Sequence, residues 1–221
     1  MKNLVEDRVT DYLRSLIPPY DEKLQNLARQ CRKAHVPIVE PEVAQLLLFL
    51  VSSRKPKKIL EIGTAVGYSS ILMGRVIKQY KGSIATIERN RARYLSARKN
   101  IENAGLDEYI NLIYGDASDI LIELKDSYDM VFLDAAKGQY LNFYPEIYRL
   151  LLPGGILVAD NVLYRGLVIP GSTFHRRKKT MVCRLRKFLQ ELNTNPSLTT
   201  TILPIGDGVA IAYKEGDMQN V

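Results

Sequence analysis

Residues 60–70 read LEIGTAVGYSS, and this stretch decides the fold. The apolar residues Ile59, Leu60 and Ile62 predict a short buried strand over 59–62. Residues 63–67 predict a turn of small residues, and residues 68–77 predict a helix. A strand, a glycine turn and a helix N-terminus together form a cradle for an anion or a nucleotide. Glycine lets a ligand approach the backbone, and the first helical N–H groups point at it.

The spacing of the glycines indicates which nucleotide the turn would accept. Gly63 and Gly67 are separated by three residues, and the next glycine is Gly74. This departs from the dinucleotide pattern G-x-G-x-x-G and favours a cofactor without a pyrophosphate. Glu88 ends the next predicted strand, where a carboxylate would meet ribose hydroxyls. A tight turn without a ligand is the alternative, and Glu88 favours the nucleotide.

The rest of the chain alternates between strand and helix patterns. The predicted strands are 59–62, 83–88, 110–114, 128–134, 156–160, 199–204 and 209–214, and the predicted helices are 3–17, 21–34, 41–53, 68–77, 91–104, 117–124, 139–151 and 177–192. Pro153, Gly154 and Gly155 predict a turn. Repeated βα units predict an α/β fold with a mostly parallel sheet and helices on both faces, and the last two strands predict an antiparallel hairpin.

A chain of 221 residues suits one domain, with residues 1–36 as an N-terminal helical extension of an α/β core at 37–221. The first helix carries an apolar stripe at helical spacing. Packing within the chain is the default expectation for this stripe, and covering a substrate or forming a dimer are alternatives. The stripe consists of Leu4, Val5, Val9, Tyr12, Leu13, Leu16 and Ile17.

Composition indicates a soluble cytoplasmic protein. The chain is 46% hydrophobic and 25% charged, which is ordinary for a globular domain. The longest apolar run, residues 46–51, is too short to cross a membrane, and the N-terminus lacks an apolar signal core. Cys31 and Cys183 form no paired motif and are expected to be reduced thiols in helices.

Acidic residues lie at or just after the ends of four successive predicted strands, and three of them directly follow an apolar run: Glu88, Asp116, Asp134 and Asp160. Ligands of open α/β sheets bind at the carboxyl ends of the strands, so this pattern predicts a polar pocket. Asp134, Asp160 and Asn161 supply hard oxygen donors that suit Mg²⁺. The alternative is that Asp134 caps the next helix and that Asp160 and Asn161 form a turn.

The net charge of +7 is concentrated in one segment. Residues 161–190 contain eight Lys or Arg and no acid, leaving 23 basic and 24 acidic residues elsewhere. Such concentration indicates a polyanionic partner, and a solvated basic face is the alternative. The cations are Arg165, Arg176, Arg177, Lys178, Lys179, Arg184, Arg186 and Lys187.

Several motifs in order resemble the cation-dependent S-adenosylmethionine O-methyltransferases, the class that contains catechol and caffeoyl-CoA methyltransferases. They read EIGTAVGYS, IERN, GDA, DAAKGQY and ADNV, and the resemblance spans residues 37–213. It implies a Rossmann-like class I methyltransferase fold with seven strands. Within the class, HVPIVE, DNVLYRGLV, RRKK and IGDGVAIA resemble the bacterial tRNA 5-hydroxyuridine methyltransferases.

The resemblance implies roles for particular residues. The methyl donor, S-adenosylmethionine, would contact Val39, Gly63, Ser69, Glu88, Asp116, Ala117 and Asp134. Glu88 would bind the ribose, and Asp116 and Ala117 would flank the adenine. Mg²⁺ would be held by Asp134, Asp160 and Asn161, so Asp134 also counts as catalytic. Lys137 would take the proton or stabilise the oxyanion, although a lone lysine is usually a solvated helix residue.

The same resemblance implies a tRNA substrate and a homodimer. The reaction would convert 5-hydroxyuridine, the wobble uridine in the anticodon region, to 5-methoxyuridine. Arg165, Arg176, Arg177, Lys178 and Lys179 would contact tRNA phosphates. The first alternative is a small-molecule catechol or phenylpropanoid O-methyltransferase. A nucleic-acid-binding module without catalysis and a dehydrogenase are further alternatives, disfavoured by the metal-site residues and by the glycine spacing.

Overall fold

The computed structural model describes residues 7–173 and 175–216. These residues form eight α-helices: α1 Asp7–Ser15, α2 Glu22–Lys33, α3 Pro41–Arg54, α4 Tyr68–Ile77, α5 Arg91–Ala104, α6 Ala117–Glu123, α7 Tyr140–Leu150 and α8 Lys179–Thr194. They also form seven strands: β1 Lys58–Ile62, β2 Ser83–Glu88, β3 Ile110–Tyr114, β4 Tyr128–Leu133, β5 Leu151–Ala159, β6 Leu198–Leu203 and β7 Val209–Lys214.

The seven strands belong to one mixed sheet with the order β3-β2-β1-β4-β5-β7-β6. Strand β2 is parallel to β1 and β3, and β4 is parallel to β5. Strand β7 runs antiparallel to both of its neighbours, β5 and β6. The predicted α/β fold, with a mostly parallel seven-stranded sheet and a C-terminal antiparallel hairpin, is therefore confirmed.

The chain forms two compact units, and the first spans Glu6–Asp116. It contains α1–α5 and β1–β3. Strand β1 is buried from Ile59 onward and pairs in parallel with β2, which is also mostly buried. Helix α4 packs against α2, α3 and α5, and eight of its ten residues are buried. Its sequence has almost no polar face, which is typical of a helix enclosed by other helices.

The second unit contains α6–α8 and β4–β7. Strand β4 is buried except at Asp129, which is partly exposed. Helix α8 buries one apolar stripe and leaves its basic side chains outside that stripe, as an amphipathic helix does. The buried residues of α8 are Val182, Leu185, Phe188 and Leu192. The ring of Phe188 packs edge-on against Tyr140 of α7 at 5.6 Å between centroids.

One predicted turn is wrong as a separate element, because residues 153–155 lie inside β5. The strand has an irregular register there, with Leu151 opposite Tyr128 and Ile156 opposite Met130. Gly155 fits this bulge because a Cβ atom would lie 2.8 Å from the carbonyl oxygen of Leu152. The glycines therefore allow a bulge inside β5 and do not form a turn before it.

The first helix differs from the default expectation of packing. Residues 3–6 of the predicted helix, including Leu4 and Val5, lie outside the described residues, and α1 begins at Asp7. No residue of α1 is buried, so the packing expectation is wrong for its described part. Polar contacts connect it to the chain instead, since Arg14 bonds the carboxylates of Glu40 and Glu42 at 2.8 and 2.9 Å.

Helix α2 does pack, with Leu24, Ala28 and Cys31 buried. Cys31 in α2 and Cys183 in α8 are both free thiols, as expected. Within the described ranges, no helix combines the length and apolarity needed to cross a membrane.

Candidate active site

The glycine turn after β1 is built from backbone hydrogen bonds. Gly63 has a φ of +105° and its N–H donates to the carbonyl of Ile87 at 3.0 Å. Gly67 has a φ of +86° and its N–H donates to the carbonyl of Thr64 at 2.8 Å. Side chains rarely adopt such φ values, so glycine is favoured at both positions. No side chain caps α4, whose N-terminus follows this turn.

Glu88 connects the turn to the end of β2. Its side chain is buried, with a relative exposure of 6%. One carboxylate oxygen accepts the N–H of Ala65 at 2.8 Å, and the other accepts the N–H of Asn90 at 2.8 Å. Each carboxylate oxygen can accept more than one hydrogen bond, so both retain capacity for a ligand hydroxyl.

Glu61 is a buried acid that the sequence analysis missed. It is fully buried in β1 and accepts hydroxyl hydrogen bonds from Ser69 at 2.5 Å, from Thr86 at 2.6 Å and from Ser70. Because the Thr86 hydroxyl donates to Glu61, Thr64 must be the donor in the 2.6 Å contact between the two threonines. An acid within an otherwise apolar strand was the available signal.

This network bears on Ser69, which was predicted to contact the cofactor. Its hydroxyl is buried and donates to Glu61, so only its acceptor capacity remains for a ligand. Val39 and Ala117 are also buried, and Asp116 is partly buried with Arg89 at 3.4 Å. The N–H of Gly115 donates to the carbonyl of Glu88, which brings the ends of β2 and β3 together. The cofactor roles of these residues stay predictions.

In the second unit, Asp134 and Asp160 follow the ends of the parallel strands β4 and β5. The N–H of Asp160 donates to the carbonyl of Leu133 at 3.0 Å. The hydroxyl of Tyr140 lies 3.0 Å from the carbonyl oxygen of Asp160 and 3.3 Å from that of Leu133. Tyr140 is fully buried, and these contacts connect it to the ends of both strands. The sequence analysis did not identify this residue.

Lys137 and Asn161 complete the group of predicted residues in this unit. The ammonium of Lys137 donates to the side-chain oxygen of Asn161 at 2.8 Å. The N–H of Asn161 donates to the carboxylate of Asp160 at 2.6 Å. This contact agrees with the alternative in which Asp160 and Asn161 form a turn. Asp134 does not cap a helix, because the 3-10 turn Lys137–Gln139 begins without a side-chain cap.

Electrostatics favour a cation at these carboxylates. Burial raises the pKa of Asp134, and the nearby Lys137 partly opposes this increase. Burial also raises the pKa of Asp160 to about 8, and repulsion from Asp134 adds to the shift. Two desolvated carboxylates near one ammonium would both ionise more readily beside an additional positive charge.

The donor atoms at this group fit Mg²⁺. In the ranges that the structure describes, no group of three or more His, Cys, Asp or Glu side chains is arranged to hold a metal. The group at Asp134 contains two carboxylates and the amide oxygen of Asn161. Mg²⁺ commonly uses one or two protein carboxylates and fills its other positions with water or substrate oxygens, so three such donors are sufficient.

The basic segment divides into two parts. Arg184 donates to the carbonyl of Gly138 at 3.0 Å, and Arg186 donates to the carbonyl of Val168 at 2.8 Å, so both arginines connect parts of the protein. The other cations are exposed, namely Arg165, Arg176, Arg177, Lys178, Lys179 and Lys187. The ammonium of Lys178 lies 5.5 Å from the ring centroid of Tyr164. The predicted phosphate contacts of Arg165 and residues 176–179, all of them exposed, stay a prediction.

Comparison with known proteins identifies the family. The sequence profile described as O-methyltransferase matches residues 18–215. A catechol O-methyltransferase from Niastella koreensis is 32% identical over 96% of this chain and 99% of its own. A caffeoyl-CoA O-methyltransferase from Stellaria longipes is 32% identical over 90% of this chain and 86% of its own.

A solved structure agrees with the sequence matches. TomG from Streptomyces achromogenes, an O-methyltransferase involved in tomaymycin synthesis and solved in complex with SAM, superposes with a TM-score of 0.83. It is 31% identical and the match covers 95% of this chain and 96% of TomG. The chain belongs to the O-methyltransferase family. This confirms the O-methyltransferase family of the catechol and caffeoyl-CoA type and its methyltransferase fold. The cation dependence and the nearer resemblance to tRNA 5-hydroxyuridine methyltransferases stay predictions.

Proposed function

We propose that this protein transfers the methyl group of S-adenosylmethionine to a hydroxyl oxygen with the help of Mg²⁺. The observation that carries this proposal is the grouping of Lys137 and Asn161, bonded at 2.8 Å, with the carboxylates that follow β4 and β5. The relative TomG, solved with SAM, supports the identity of the methyl donor.

The methyl donor would bind at the glycine turn of the first unit. Glu88 would accept the ribose hydroxyls with the capacity that Ala65 and Asn90 leave on its carboxylate. The absence of a Cβ atom at Gly63 would let the amino-acid portion of the donor approach the backbone. Ala65 stands where the second glycine of a dinucleotide site lets the backbone approach the pyrophosphate, which is consistent with a donor that has none.

The hydroxyl that receives the methyl group would be activated by residues of the second unit. Asp134, Asp160 and Asn161 would hold Mg²⁺, which when bound would lower the pKa of the acceptor hydroxyl. Lys137, as a neutral amine, would take the proton of this hydroxyl, or, as an ammonium, would stabilise the oxyanion left after the proton passes to water. The acceptor oxygen then attacks the methyl carbon, the carbon–sulfur bond breaks, and the sulfonium becomes the neutral thioether of S-adenosylhomocysteine.

The relatives favour the small-molecule alternative for the substrate. A catechol and a caffeoyl-CoA O-methyltransferase match most of this chain, and both names refer to aromatic acceptors. We therefore infer a small aromatic acceptor with two neighbouring oxygens, one of which receives the methyl group.

The exposed basic set favours a second candidate, 5-hydroxyuridine in tRNA. This nucleoside presents O5 beside O4, a pair comparable with the two oxygens of a catechol. Exposed cations at Arg176, Arg177, Lys178 and Lys179 would contact phosphates, as would Arg165. The small residues Ala135 and Ala136 after Asp134 would leave room for a nucleotide. The proposed partner is the anticodon region of tRNA, and a homodimer remains a prediction.

One experiment tests the reaction and separates the two substrates. The purified protein is incubated with S-adenosylmethionine and Mg²⁺, with either a small catechol or tRNA that contains 5-hydroxyuridine, and the products are analysed by mass spectrometry. A methyl group on either acceptor, lost on chelation, supports the reaction. Methylation of the catechol alone supports the small-molecule substrate, and efficient formation of 5-methoxyuridine supports tRNA. No methylation of any vicinal-oxygen acceptor contradicts the proposal.

A further inference from the structure

The segment that follows Asp160 has an unusual backbone. Asn161, Tyr164 and Arg165 have φ values of +56°, +43° and +56°. Side chains rarely adopt this left-handed region, and several such residues in one segment persist only where neighbouring groups hold them. Asn161 is the first residue of this segment, and its side chain bonds Lys137. What holds the segment therefore determines where the amide of Asn161 lies.

The loop before β7 supplies three hydrogen bonds to this segment. The N–H of Val162 donates to the carbonyl of Gly208 at 2.9 Å, and the N–H of Leu163 donates to the carbonyl of Asp207 at 3.0 Å. The N–H of Arg165 donates to the side-chain carboxylate of Asp207. Asp207 thus bonds the segment on both sides of Tyr164, once through its backbone and once through its side chain.

Gly208 allows this close approach. Its φ is +87°, and a Cβ atom there would lie 2.3 Å from the side chain of Leu163. The loop is anchored because Val209, the first residue of β7, is fully buried. Asp207 itself is partly buried and accepts the Arg165 N–H from a fixed backbone.

We propose that Asp207 is a positioning residue that, through its bond to the Arg165 N–H, keeps residues 161–165 in the conformation that presents the Asn161 amide to Lys137 and to the cation. This proposal rests on the proposed function for the identity of the cation site, although the contact between Asp207 and the segment does not. Asp207 acts through the backbone and does not touch the reacting atoms. We assign this role to the oxygen acceptor of Asp207; its negative charge, which also acts on Asp160 and Lys137, is tested separately.

Two variants separate the hydrogen bond from the charge. Asp207→Ala removes both, and Asp207→Asn keeps an oxygen acceptor while removing the charge. Asp119→Ala, at an exposed acid of α6, is the matched control. Hydrogen exchange at residues 162–165 measures how firmly Asp207 holds this segment, and it requires neither a metal nor activity. Binding of Mn²⁺, followed by electron paramagnetic resonance, reports the cation site, and binding of S-adenosylhomocysteine reports the cofactor site.

We expect Asp207→Ala to accelerate exchange at residues 162–165 and to weaken Mn²⁺ binding at least tenfold. Its affinity for S-adenosylhomocysteine should stay within about twofold of the wild type, because the glycine turn and Glu88 are untouched. Asp207→Asn should retain slow exchange and bind Mn²⁺ within about threefold of the wild type. The control should match the wild type in all three measurements.

Unchanged exchange and Mn²⁺ affinity in Asp207→Ala would overturn the proposal. An equal loss of Mn²⁺ affinity in Asp207→Asn would also overturn it, since the charge would then be the essential feature. If Asp207→Ala does not fold, Gly208→Ala replaces it in the test. The added Cβ atom would displace Leu163, so exchange at residues 162–165 should be as fast in this variant as expected for Asp207→Ala. Failure of the wild type to bind Mn²⁺ would contradict the proposed function, while the exchange data would still decide the role of Asp207.

Discussion

The carboxylate of Glu88 accepts a hydrogen bond from the backbone N–H of Ala65 at 2.8 Å. Ala65 has a φ of +48° and lies in the middle of the glycine turn. The acid that would bind the donor's ribose therefore also fixes the turn that would receive the rest of the donor. Binding and local stability are coupled at this residue, and variants of Glu88 must be tested for both.

Glu88→Ala should weaken S-adenosylmethionine binding by about 1.5–3 kcal/mol, the range for hydrogen bonds to charged groups. It should also lower the free energy of unfolding, because the partly buried hydrogen bonds from the N–H groups of Ala65 and Asn90 lose their acceptor. Calorimetric titration measures the first effect and chemical denaturation the second. Glu88→Gln is the control that retains one acceptor oxygen. Unchanged affinity in Glu88→Ala would remove this residue from the cofactor site.

Asp160→Ala should abolish methyl transfer while leaving S-adenosylhomocysteine affinity nearly unchanged, because Asp160 would serve the cation and not the donor. Thorough chelation of the wild type should have the same effect, and added Mg²⁺ should restore activity. Product formation by mass spectrometry is the measurement. Full activity after chelation would contradict the cation-assisted reaction and leave Lys137 as the remaining group for the acceptor proton.

The metal-free protein should lose stability as the pH rises from about 4 to about 8. Burial raises the pKa of Asp160 from its usual 3.8 to about 8 in the folded state. In this window the folded protein binds more protons than the unfolded chain, so the free energy of unfolding falls with pH. Melting temperatures across this range, measured in EDTA, test the effect. Asp160→Asn should reduce the pH dependence of the melting temperature. A rise in stability of the wild type between about pH 4 and about pH 8 would contradict the prediction.

Glu61→Ala should destabilise the protein by about 3 kcal/mol or more, because three buried hydroxyls lose their shared acceptor and a cavity forms. Urea denaturation measures the change. Glu61→Gln should be milder, since its amide keeps an oxygen acceptor and the hydroxyls can rotate to accept from its nitrogen. The exposed Glu123→Ala is a control that should be neutral. A stability loss below about 1 kcal/mol in Glu61→Ala would show that water replaces the carboxylate.

Replacing Arg176, Arg177, Lys178 and Lys179 with alanine should weaken tRNA binding if this exposed set contacts phosphates. Each lost contact should flatten the slope of log affinity against log salt by about 0.7 on single strands and about 0.9 on duplex. Filter binding over a range of salt concentrations measures the slope. Methylation of a small catechol should be unaffected, since the reacting groups lie at Lys137 and the carboxylates.

A second quadruple variant controls for net charge. Arg91, Arg93, Arg98 and Lys99 of α5 are also exposed, and their replacement with alanine changes the net charge by the same amount. Equal slopes in the two variants would indicate a nonspecific effect of charge. An unchanged slope in the first variant would remove the basic segment from any tRNA site and leave the small-molecule substrate.

Local sequence was sufficient for many of the elements. Strand β2, helix α5 and strand β3 have the predicted bounds. The reason is that their limits are set by neighbouring residues: Asn90 caps α5 at its start, and Gly105, with a φ of +65°, ends it. Motif order likewise identified the family, because the motifs carry backbone and ligand requirements within short segments.

Contacts between distant residues had to come from the tertiary structure. Residues 153–155 resemble a turn locally, yet they lie within β5, because Leu151 before them and Ile156 after them both pair with β4. Arg184 and Arg186 belong to a basic segment, yet distant carbonyls at Gly138 and Val168 bind them.

The sequence by itself determined the strand and helix order, the glycine turn and the acids at the strand ends, because backbone preference and hydrophobic pattern act over a few residues. Which groups the acidic side chains contact depends on the tertiary structure. Glu61 meets Thr86, Glu88 meets Ala65 and Asp207 meets Arg165 across 25, 23 and 42 positions of the chain. The physical reason is that a buried polar group must find a partner wherever the fold supplies one, and sequence distance does not limit that choice.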